Sequence, residues 1–221
     1  MKPDTEAAIR EWNATAEGWC QIDRALEMAQ LIIDNPPQYV VEIGVFAGGS
    51  LIPQALAMKE LSQESEILEP AHIYGIDPWS REAALEQVFV ADDHTPPADE
   101  EVARKWWAEV DLDKMHLLAM QGIWRYGLER HAIVIRAASQ DCAQLFREID
   151  ILYIDGNHSE KASCRDVELY LPRLRPGGFL WFDDAHWLST QRAIQKIEEA
   201  CVLERDREAY RLYRKNALPL G

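Results

Sequence analysis

Short apolar segments that end in an acid or a glycine recur along the chain. Five of them have the length and composition of strands: 39–46 (YVVEIGVF), 72–77 (HIYGID), 132–139 (AIVIRAAS), 150–155 (DILYID) and 178–184 (GFLWFDD). Because helical patterns separate these continuous apolar runs, they predict a parallel sheet covered on both faces. Two last segments, CVLERD and AYRLYRK, are joined by a short polar turn and predict an antiparallel pair. The predicted fold class is therefore α/β, a doubly wound, mostly parallel, seven-stranded Rossmann-like sheet with a C-terminal antiparallel pair.

Helical patterns precede the first strand and follow its glycine turn. In residues 22–34 (IDRALEMAQLIID) apolar side chains recur at helical spacing, and Asn35-Pro36-Pro37 ends the segment. A second helical pattern, LIPQALAMKELSQ, begins directly after Gly48-Gly49-Ser50. We therefore expect residues 1–37 to form an N-terminal helical cap on a single domain that spans residues 1–221.

Residues 80–131 are too many for a plain crossover between two strands. They contain the acidic, proline-containing stretch DDHTPPADEEVARKWW. This helical insertion is either a lid that selects the substrate or an elaboration packed on the sheet edge. Trp106, Trp107 and Trp124 would accordingly either offer an apolar platform to a ligand or anchor the insertion to the core.

Composition and charge exclude several classes of partner. The 221 residues include 23 Lys and Arg against 38 Asp and Glu, and the net charge of −15 would repel a phosphate backbone. Nucleic acid is therefore not an expected partner. No apolar run approaches the roughly 20 residues needed to span a bilayer, so a membrane is not expected either.

The composition of the N-terminal segment and the spacing of the cysteines indicate a reducing compartment. The N-terminal MKPDTEAAIREWN has neither the apolar core of a secretory signal nor the arginines of a transit peptide, so we expect a cytoplasmic location. Cys20, Cys142, Cys164 and Cys201 are scattered with no CxxC pair. We expect four reduced, structural thiols.

The ends of the first two strands predict a nucleoside site, because ligands gather beyond the carboxyl ends of parallel strands. The first strand runs into EIGVFAGGS, whose glycines let the backbone approach a ligand closely. The second ends at Asp77, a carboxylate that can accept hydrogen bonds from a ribose diol. Trp79 either packs in the core or stacks on the ligand. The turn is not the GxGxxG of dinucleotide enzymes, which disfavours a nicotinamide dehydrogenase.

Three aspartates follow two later strands. Asp155 ends the fourth strand, and Asp183 and Asp184 end the fifth. Carboxylates brought together at neighbouring strand ends repel one another unless a cation lies between them or one holds a proton. The residues therefore predict a site for a hard divalent cation, most simply Mg²⁺. Asp183 and Asp184 can share it only if the chain has left the strand, because successive strand residues face opposite sides. Alternatively, one of the two caps the next helix.

Taken together, these motifs resemble the class I S-adenosylmethionine-dependent methyltransferases. Within them, residues 38–187 are most similar to the metal-dependent O-methyltransferases, typified by catechol O-methyltransferase and the sugar O-methyltransferases of antibiotic pathways. EIGVFAGGS resembles their first motif, GIDPW their ribose-binding acid, and AASQD (137–141) the stretch that lies against adenine. The resemblance implies contacts to the methionine end of the cofactor by Glu42, Gly44 and Ser50, to its ribose by Asp77 and to its base by Ser139 and Gln140. It implies Asp155, Asp183 and Asp184 as metal ligands.

The proton acceptor is the point on which the resemblance divides. Catechol enzymes carry a lysine three residues after the first metal ligand, where this chain has His158. In the sugar enzymes the first aspartate itself is the base, which corresponds to Asp155. Asp184 also follows the sugar type, since the catechol type has an amide there. Asp155 is the favoured catalytic base and His158 the second candidate, with a merely structural His158 as the alternative.

The resemblance implies an enzyme that transfers a methyl group from S-adenosylmethionine to a hydroxyl of a small molecule, with Mg²⁺ assisting. The expected partner is a hydroxylated sugar or catechol-like ring, and a homodimer is the default assembly. One alternative is metal-independent methylation in which His158 or His186 acts alone. Another is a module that binds the cofactor without turnover.

Overall fold

The computed structural model describes residues 1–64, 71–86 and 97–217, with the backbone alone for residues 64 and 97–100. These residues contain seven strands. They are β1 (Tyr39–Ile43), β2 (His72–Ile76), β3 (Ala132–Ile135), β4 (Ile149–Ile154), β5 (Leu174–Asp183), β6 (Cys201–Asp206) and β7 (Tyr210–Lys215). Each predicted apolar segment therefore overlaps a strand.

All seven strands belong to one sheet in the order β3-β2-β1-β4-β5-β7-β6. Strands β1 to β5 pair in parallel, and β7 inserts antiparallel between β5 and β6. The predicted α/β fold class, with its mostly parallel sheet and C-terminal antiparallel pair, is confirmed.

Nine α-helices are present among the described residues. They are α1 (Pro3–Asn13), α2 (Ile22–Asp34), α3 (Leu51–Glu64), α4 (Arg81–Ala84), α5 (Pro97–Glu109), α6 (Leu112–Tyr126), α7 (Ser139–Cys142), α8 (Glu160–Tyr170) and α9 (Gln191–Glu198). Helix α2 has the bounds that the apolar spacing predicts. Helix α1 was not predicted, although its buried Ile9 and Trp12 are three residues apart, on one helix face.

The core lies in two layers, one on each face of the sheet, because side chains alternate along every strand. Tyr153 and Trp181 point into the layer covered by α1, α2, α3 and α6. Their neighbours Leu152 and Phe182 point into the layer covered by α8 and α9. Burial on both faces explains why the strands are continuous apolar runs.

The predicted N-terminal cap contributes to the first of these layers. Ile9 and Trp12 of α1 and Met28 and Ile32 of α2 are buried in it. Trp12 also donates its indole N–H to the carbonyl of Gly48 at 3.0 Å. Residues 1–37 are thus bonded to the turn that follows β1.

Of the insertion at 80–131, residues 87–96 lie outside the described part of the chain. Helix α6 begins at an Asp111 side chain that accepts from the Lys114 amide, and it ends at Gly127 in the left-handed conformation. Its Met115, Ala119 and Ile123 are buried in the sheet layer. This helix therefore packs against the sheet as part of the connection between β2 and β3. That the insertion also forms a lid stays a prediction.

Two smaller expectations concern membranes and thiols. Within the described residues, no helix combines the length and the hydrophobicity needed to cross a bilayer. All four cysteines are free; Cys142, Cys164 and Cys201 are buried and Cys20 is half-buried.

The strand order changes direction between the parallel neighbours β1 and β4. From β1 the chain proceeds through α3 to β2 on one side, and from β4 through α8 to β5 on the other. Here Gly44, with φ +89°, follows β1 so closely beside β4 that a Cβ atom on it would lie 1.9 Å from the Asp155 carbonyl oxygen. Open α/β sheets bind ligands at this crevice.

Replacing Gly44 tests how tightly these two strand ends are joined. Gly44→Ala should lower the free energy of unfolding by at least about 3 kcal/mol, because it adds backbone strain and a clash with a carbonyl that cannot rotate away. The matched control is Gly177→Ala, since Gly177 has φ +74° but a Cβ atom on it would meet nothing within 4 Å. That variant should lose only about 1–2 kcal/mol. Urea unfolding measures both, and equal losses would contradict the close approach.

Candidate active site

A polar network fills the space beneath the turn that follows β1. Glu42 is 1% exposed; Ser50 donates to one of its carboxylate oxygens and Gln54 to the other, the latter at 3.0 Å. Burial raises the pKa of Glu42 to about 8, although these hydrogen bonds oppose the shift. Glu42 and Ser50, both predicted to contact the cofactor, thus bond to each other and support the turn from below.

Asp77 holds the same turn from the neighbouring strand. One carboxylate oxygen accepts the amide N–H groups of Val45 and Phe46, each at 3.0 Å, and the other accepts that of Trp79 at 2.7 Å. Burial raises the pKa of Asp77, with these hydrogen bonds in opposition. A carboxylate can accept about four hydrogen bonds, so one position remains for a ligand hydroxyl.

Trp79 belongs to the core rather than to an open surface. It is 4% exposed and donates its indole N–H to the Phe46 carbonyl at 2.8 Å. Phe46 itself adopts φ +49°, in the left-handed region. Asp77 and Trp79 together fix a strained turn, which is the kind of backbone that functional sites maintain.

The predicted adenine contacts lie at the start of α7. Ser139 is buried and donates its hydroxyl to Asp166 at 2.5 Å, while Tyr170 donates to the Ser139 carbonyl at 2.7 Å. Burial raises the pKa of Asp166 to about 6. Gln140 is exposed. With its proton engaged, the Ser139 hydroxyl can still accept a hydrogen bond, and Gln140 can donate or accept.

The three predicted aspartates do meet at the ends of β4 and β5. Asp184 has φ +48°, so the chain has left the strand after Asp183 and both side chains can approach one centre. His158 Nε2 lies 3.2 Å from Asp155 Oδ1 and 3.5 Å from Asp184 Oδ2. We call Asp155, Asp183, Asp184 and His158 the acid centre.

Arg24 of helix α2 completes the acid centre from the opposite end of the sequence. Its Nη1 donates to both carboxylate oxygens of Asp183, at 2.7 and 2.5 Å. The side chains of this pair are only 15% and 6% exposed. Asp183 therefore has an arginine as its partner.

Burial and neighbouring charges together shift the pKa values of the acid centre. Burial and the Asp155 charge raise the pKa of Asp183 well above its ordinary value, and Arg24 opposes this. Burial likewise raises the pKa of Asp184, with His158 in opposition. Burial disfavours the charged form of His158, but its hydrogen bond to Asp155 and the surrounding carboxylates raise its pKa overall. The histidine and the arginine are the positive charges that balance the acids.

This donor set does not fit a divalent cation as the structure has it. Both oxygens of Asp183 are engaged by Arg24, and His158 bridges the other two aspartates. Among residues 1–64, 71–86 and 97–217, no group of three or more His, Cys, Asp or Glu side chains is arranged to hold a metal ion. The predicted Mg²⁺ site at Asp155, Asp183 and Asp184 lacks support because a guanidinium stands among the acids.

Aromatic side chains border the acid centre and the turn. Trp187 lies edge-on to His158, with ring centroids 5.4 Å apart, and the neighbouring His186 is exposed. A separate aromatic cluster contains Trp19, Phe46, Trp106 and Trp107. Trp19 is 57% and Trp106 40% exposed. Because Phe46 belongs to the turn, the cluster offers apolar surface next to it.

Sequence reasoning missed Gln54, Asp166 and Arg24. Gln54 follows Ser50 by one helical turn, so helical spacing could have indicated it. Asp166 and Arg24 reach their partners from helices packed on opposite faces of the sheet. No local pattern signals them, since Arg24 and Asp183 are 159 residues apart.

Comparison with protein families gives one match. A family model described as a methyltransferase domain matches residues 41–185, more than half of the chain. None of the curated proteins matches the sequence.

Solved structures share the fold across nearly the whole chain. A Podospora anserina methyltransferase bound to SAH has a TM-score of 0.61 at 14% identity, covering 97% of this chain and 89% of that one. A Bacillus cereus O-methyltransferase in complex with SAH scores 0.58 at 14%, covering 97% and 92%. The Streptomyces achromogenes O-methyltransferase TomG, of tomaymycin synthesis and in complex with SAM, scores 0.58 at 13%, covering 97% and 88%. At these identities the likeness establishes the fold.

The raised pKa of Glu42 predicts a pH-dependent stability. Between the ordinary glutamate pKa and about 8, the folded protein holds a proton that the unfolded chain has lost. The contribution of Glu42 to stability therefore falls as pH rises through this window, by up to about 1.4 kcal/mol per pH unit. Glu42→Gln cannot ionise, so its stability relative to the wild type should increase from pH 5 to pH 8.

Urea unfolding at several pH values measures this difference. The exposed Glu148 supplies the control variant Glu148→Gln, whose difference from the wild type should stay constant with pH. A constant difference for Glu42→Gln as well would contradict a protonated Glu42.

Proposed function

The chain belongs to the methyltransferase-domain family whose model matches it, and on that basis we propose that it transfers a methyl group from S-adenosylmethionine to a hydroxyl of a small molecule. The observation that carries this proposal is a juxtaposition. The Gly44 turn and Asp155, the residue that begins the acid centre, are in backbone contact at the β1–β4 crevice. A cofactor at the turn and an acceptor at the acid centre would therefore be neighbours.

The cofactor would be held by the turn and by the ends of β2 and β3. S-adenosylmethionine, when bound, supplies a sulfonium methyl group that is open to attack by an oxygen. Asp77 retains capacity for a ribose hydroxyl after fixing the turn, and Ser139 and Gln140 offer polar groups to adenine. Gly44 keeps the backbone close to β4, and Glu42 with Ser50 supports the turn from below.

Asp155 is the group we assign as proton acceptor. Its side chain is 31% exposed, whereas that of His158 is 11% exposed. Asp155 is thus the more accessible of the two to an incoming hydroxyl, and His158 holds one of its oxygens. The acceptor hydroxyl would pass its proton to Asp155 as its oxygen attacks, and His158 would balance the charge. Holding both reactants in one crevice supplies the larger part of the acceleration.

The proposed acceptor is a small hydroxylated molecule, either a sugar or a catechol-like ring. The exposed faces of the aromatic cluster support a ring-shaped acceptor, since flat apolar surfaces stack on both classes. The Mg²⁺ assistance predicted from the sequence stays a prediction, and no proposed step depends on it. The Arg24–Asp183 pair favours methyl transfer without a metal, with Asp155 rather than a lone histidine as the base.

Calorimetry tests the cofactor assignment. The wild type should bind S-adenosylmethionine and should not bind NAD. Asp77→Ala should weaken S-adenosylmethionine binding at least about tenfold, because three amide N–H groups lose their acceptor and the turn loses its shape. The exposed Asp4, in the first turn of α1, gives the control Asp4→Ala, which should bind like the wild type. A wild type that binds neither ligand would refute the proposed function.

Paired substitutions separate the two candidate bases. Asp155→Asn should lower kcat for methyl transfer about 10²–10⁴-fold, the usual contribution of a general base. His158→Ala should lower it less, because Asp155 keeps its carboxylate. Candidate hydroxylated acceptors are screened with the enzyme, and the rate is measured from the S-adenosylhomocysteine that methyl transfer produces. His72→Ala is the control, since His72 begins β2 and therefore lies at the amino end of the strand, away from the carboxyl ends that form the site. A larger loss in His158→Ala than in Asp155→Asn would assign the base to the histidine instead.

A further inference from the structure

We propose that Arg24 is the built-in counter-charge of the acid centre, so that the centre functions without a divalent cation. The catalytic role of the acid centre rests on the proposed function. The role of Arg24 as its counter-charge rests on the geometry of the ion pair. Arg24 acts through Asp183 and is therefore a positioning residue.

The Arg24–Asp183 contact reaches both oxygens of the carboxylate. One guanidinium nitrogen donates to both oxygens at 2.7 and 2.5 Å, in a largely buried position. A divalent ion would need those oxygens as ligands, and its charge would repel the guanidinium. Breaking a buried ion pair leaves an uncompensated charge, which is strongly unfavourable. Mg²⁺ therefore competes with a partner that is already in place.

Arginine suits this task because its charge is permanent. The guanidinium stays protonated throughout the physiological pH range, so the counter-charge does not depend on pH or on a metal supply. His158 supplies the second positive group, between Asp155 and Asp184.

A second set of contacts beside Arg24 holds helix α2 against the sheet. One turn further along, Glu27 pairs with Arg205 and accepts from the Tyr210 hydroxyl. Tyr210 is the antiparallel partner of Asp183 and stacks on Trp181, with ring centroids 3.7 Å apart. Arg24 and Glu27 thus attach α2 to β5 and to the C-terminal strand pair. The counter-charge is part of the fold.

Metal titration of the full chain tests the proposal. Samples stripped with EDTA are titrated with Mn²⁺, and free Mn²⁺ is followed by electron paramagnetic resonance; thermal unfolding is measured with and without millimolar MgCl₂. The wild type should show no saturable Mn²⁺ site and no MgCl₂-dependent change in Tm. Arg24→Gln leaves the acids without that counter-charge and should bind Mn²⁺ at least about tenfold more tightly than the wild type. Its Tm should be lowered and should recover in MgCl₂.

Three further variants separate positioning from general stability. Arg24→Gln combined with Asp183→Asn should lose the acquired Mn²⁺ binding. Arg24→Lys keeps a positive charge and should behave like the wild type in the metal titration. Arg10→Gln removes an exposed surface pair with Glu6 on α1 and should change neither Mn²⁺ binding nor the response to MgCl₂.

Two results would overturn the proposal. One is a saturable Mn²⁺ site in the wild type that Asp183→Asn abolishes, a measurement that decides the question even if Arg24→Gln fails to fold. The other is a folded Arg24→Gln that binds Mn²⁺ no more tightly than the wild type. Calorimetry with S-adenosylmethionine on the same samples reports on the proposed function separately, since absent cofactor binding would refute the function and leave the metal result unchanged.

Discussion

The backbone contact between Gly44 and Asp155 is the constraint on which the rest of the site depends. It brings the carboxyl ends of the parallel strands β1 and β4 together, at the point where the strand order changes direction. On one side of this contact, Asp77 shapes the turn through the amides of residues 45 and 46. On the other side begins the acid centre. A side chain at residue 44 would force the two halves apart, so one glycine determines the spacing of both.

Burial of charge is the second constraint, and it is compensated differently at Glu42 and at the acid centre. Glu42 lies beneath the turn, where burial raises its pKa to about 8 and its described partners, Ser50 and Gln54, are uncharged. The acid centre is instead balanced by two cations, one from its own loop and one from helix α2. Neutralisation by protonation supports a rigid scaffold, whereas ion pairing leaves a carboxylate available for chemistry.

Much of the fold could be predicted because its signals are local. Continuous apolar runs between helical patterns identify buried parallel strands, and Asn35-Pro36-Pro37 ends α2 where its pattern stops. The convergence of Asp155, Asp183 and Asp184 could also be predicted, since neighbouring parallel strands place their ends side by side. The group that balances their charge could not be predicted, because acids alone do not specify whether it is a metal, a proton or a cationic side chain distant in sequence.

Sequence patterns correctly predicted the α/β class, the approximate positions of the strands and the glycine turn. They also placed Asp155, Asp183 and Asp184 at or just after strand ends. Periodicity and strand-end chemistry depend only on neighbours in the chain. By contrast, no sequence pattern indicates that Asp77 accepts from the amides of residues 45 and 46, that Ser139 donates to Asp166 or that Arg24 pairs with Asp183. Each of these contacts joins elements far apart in sequence, so it forms only when the strands have paired and the helices have packed onto the sheet.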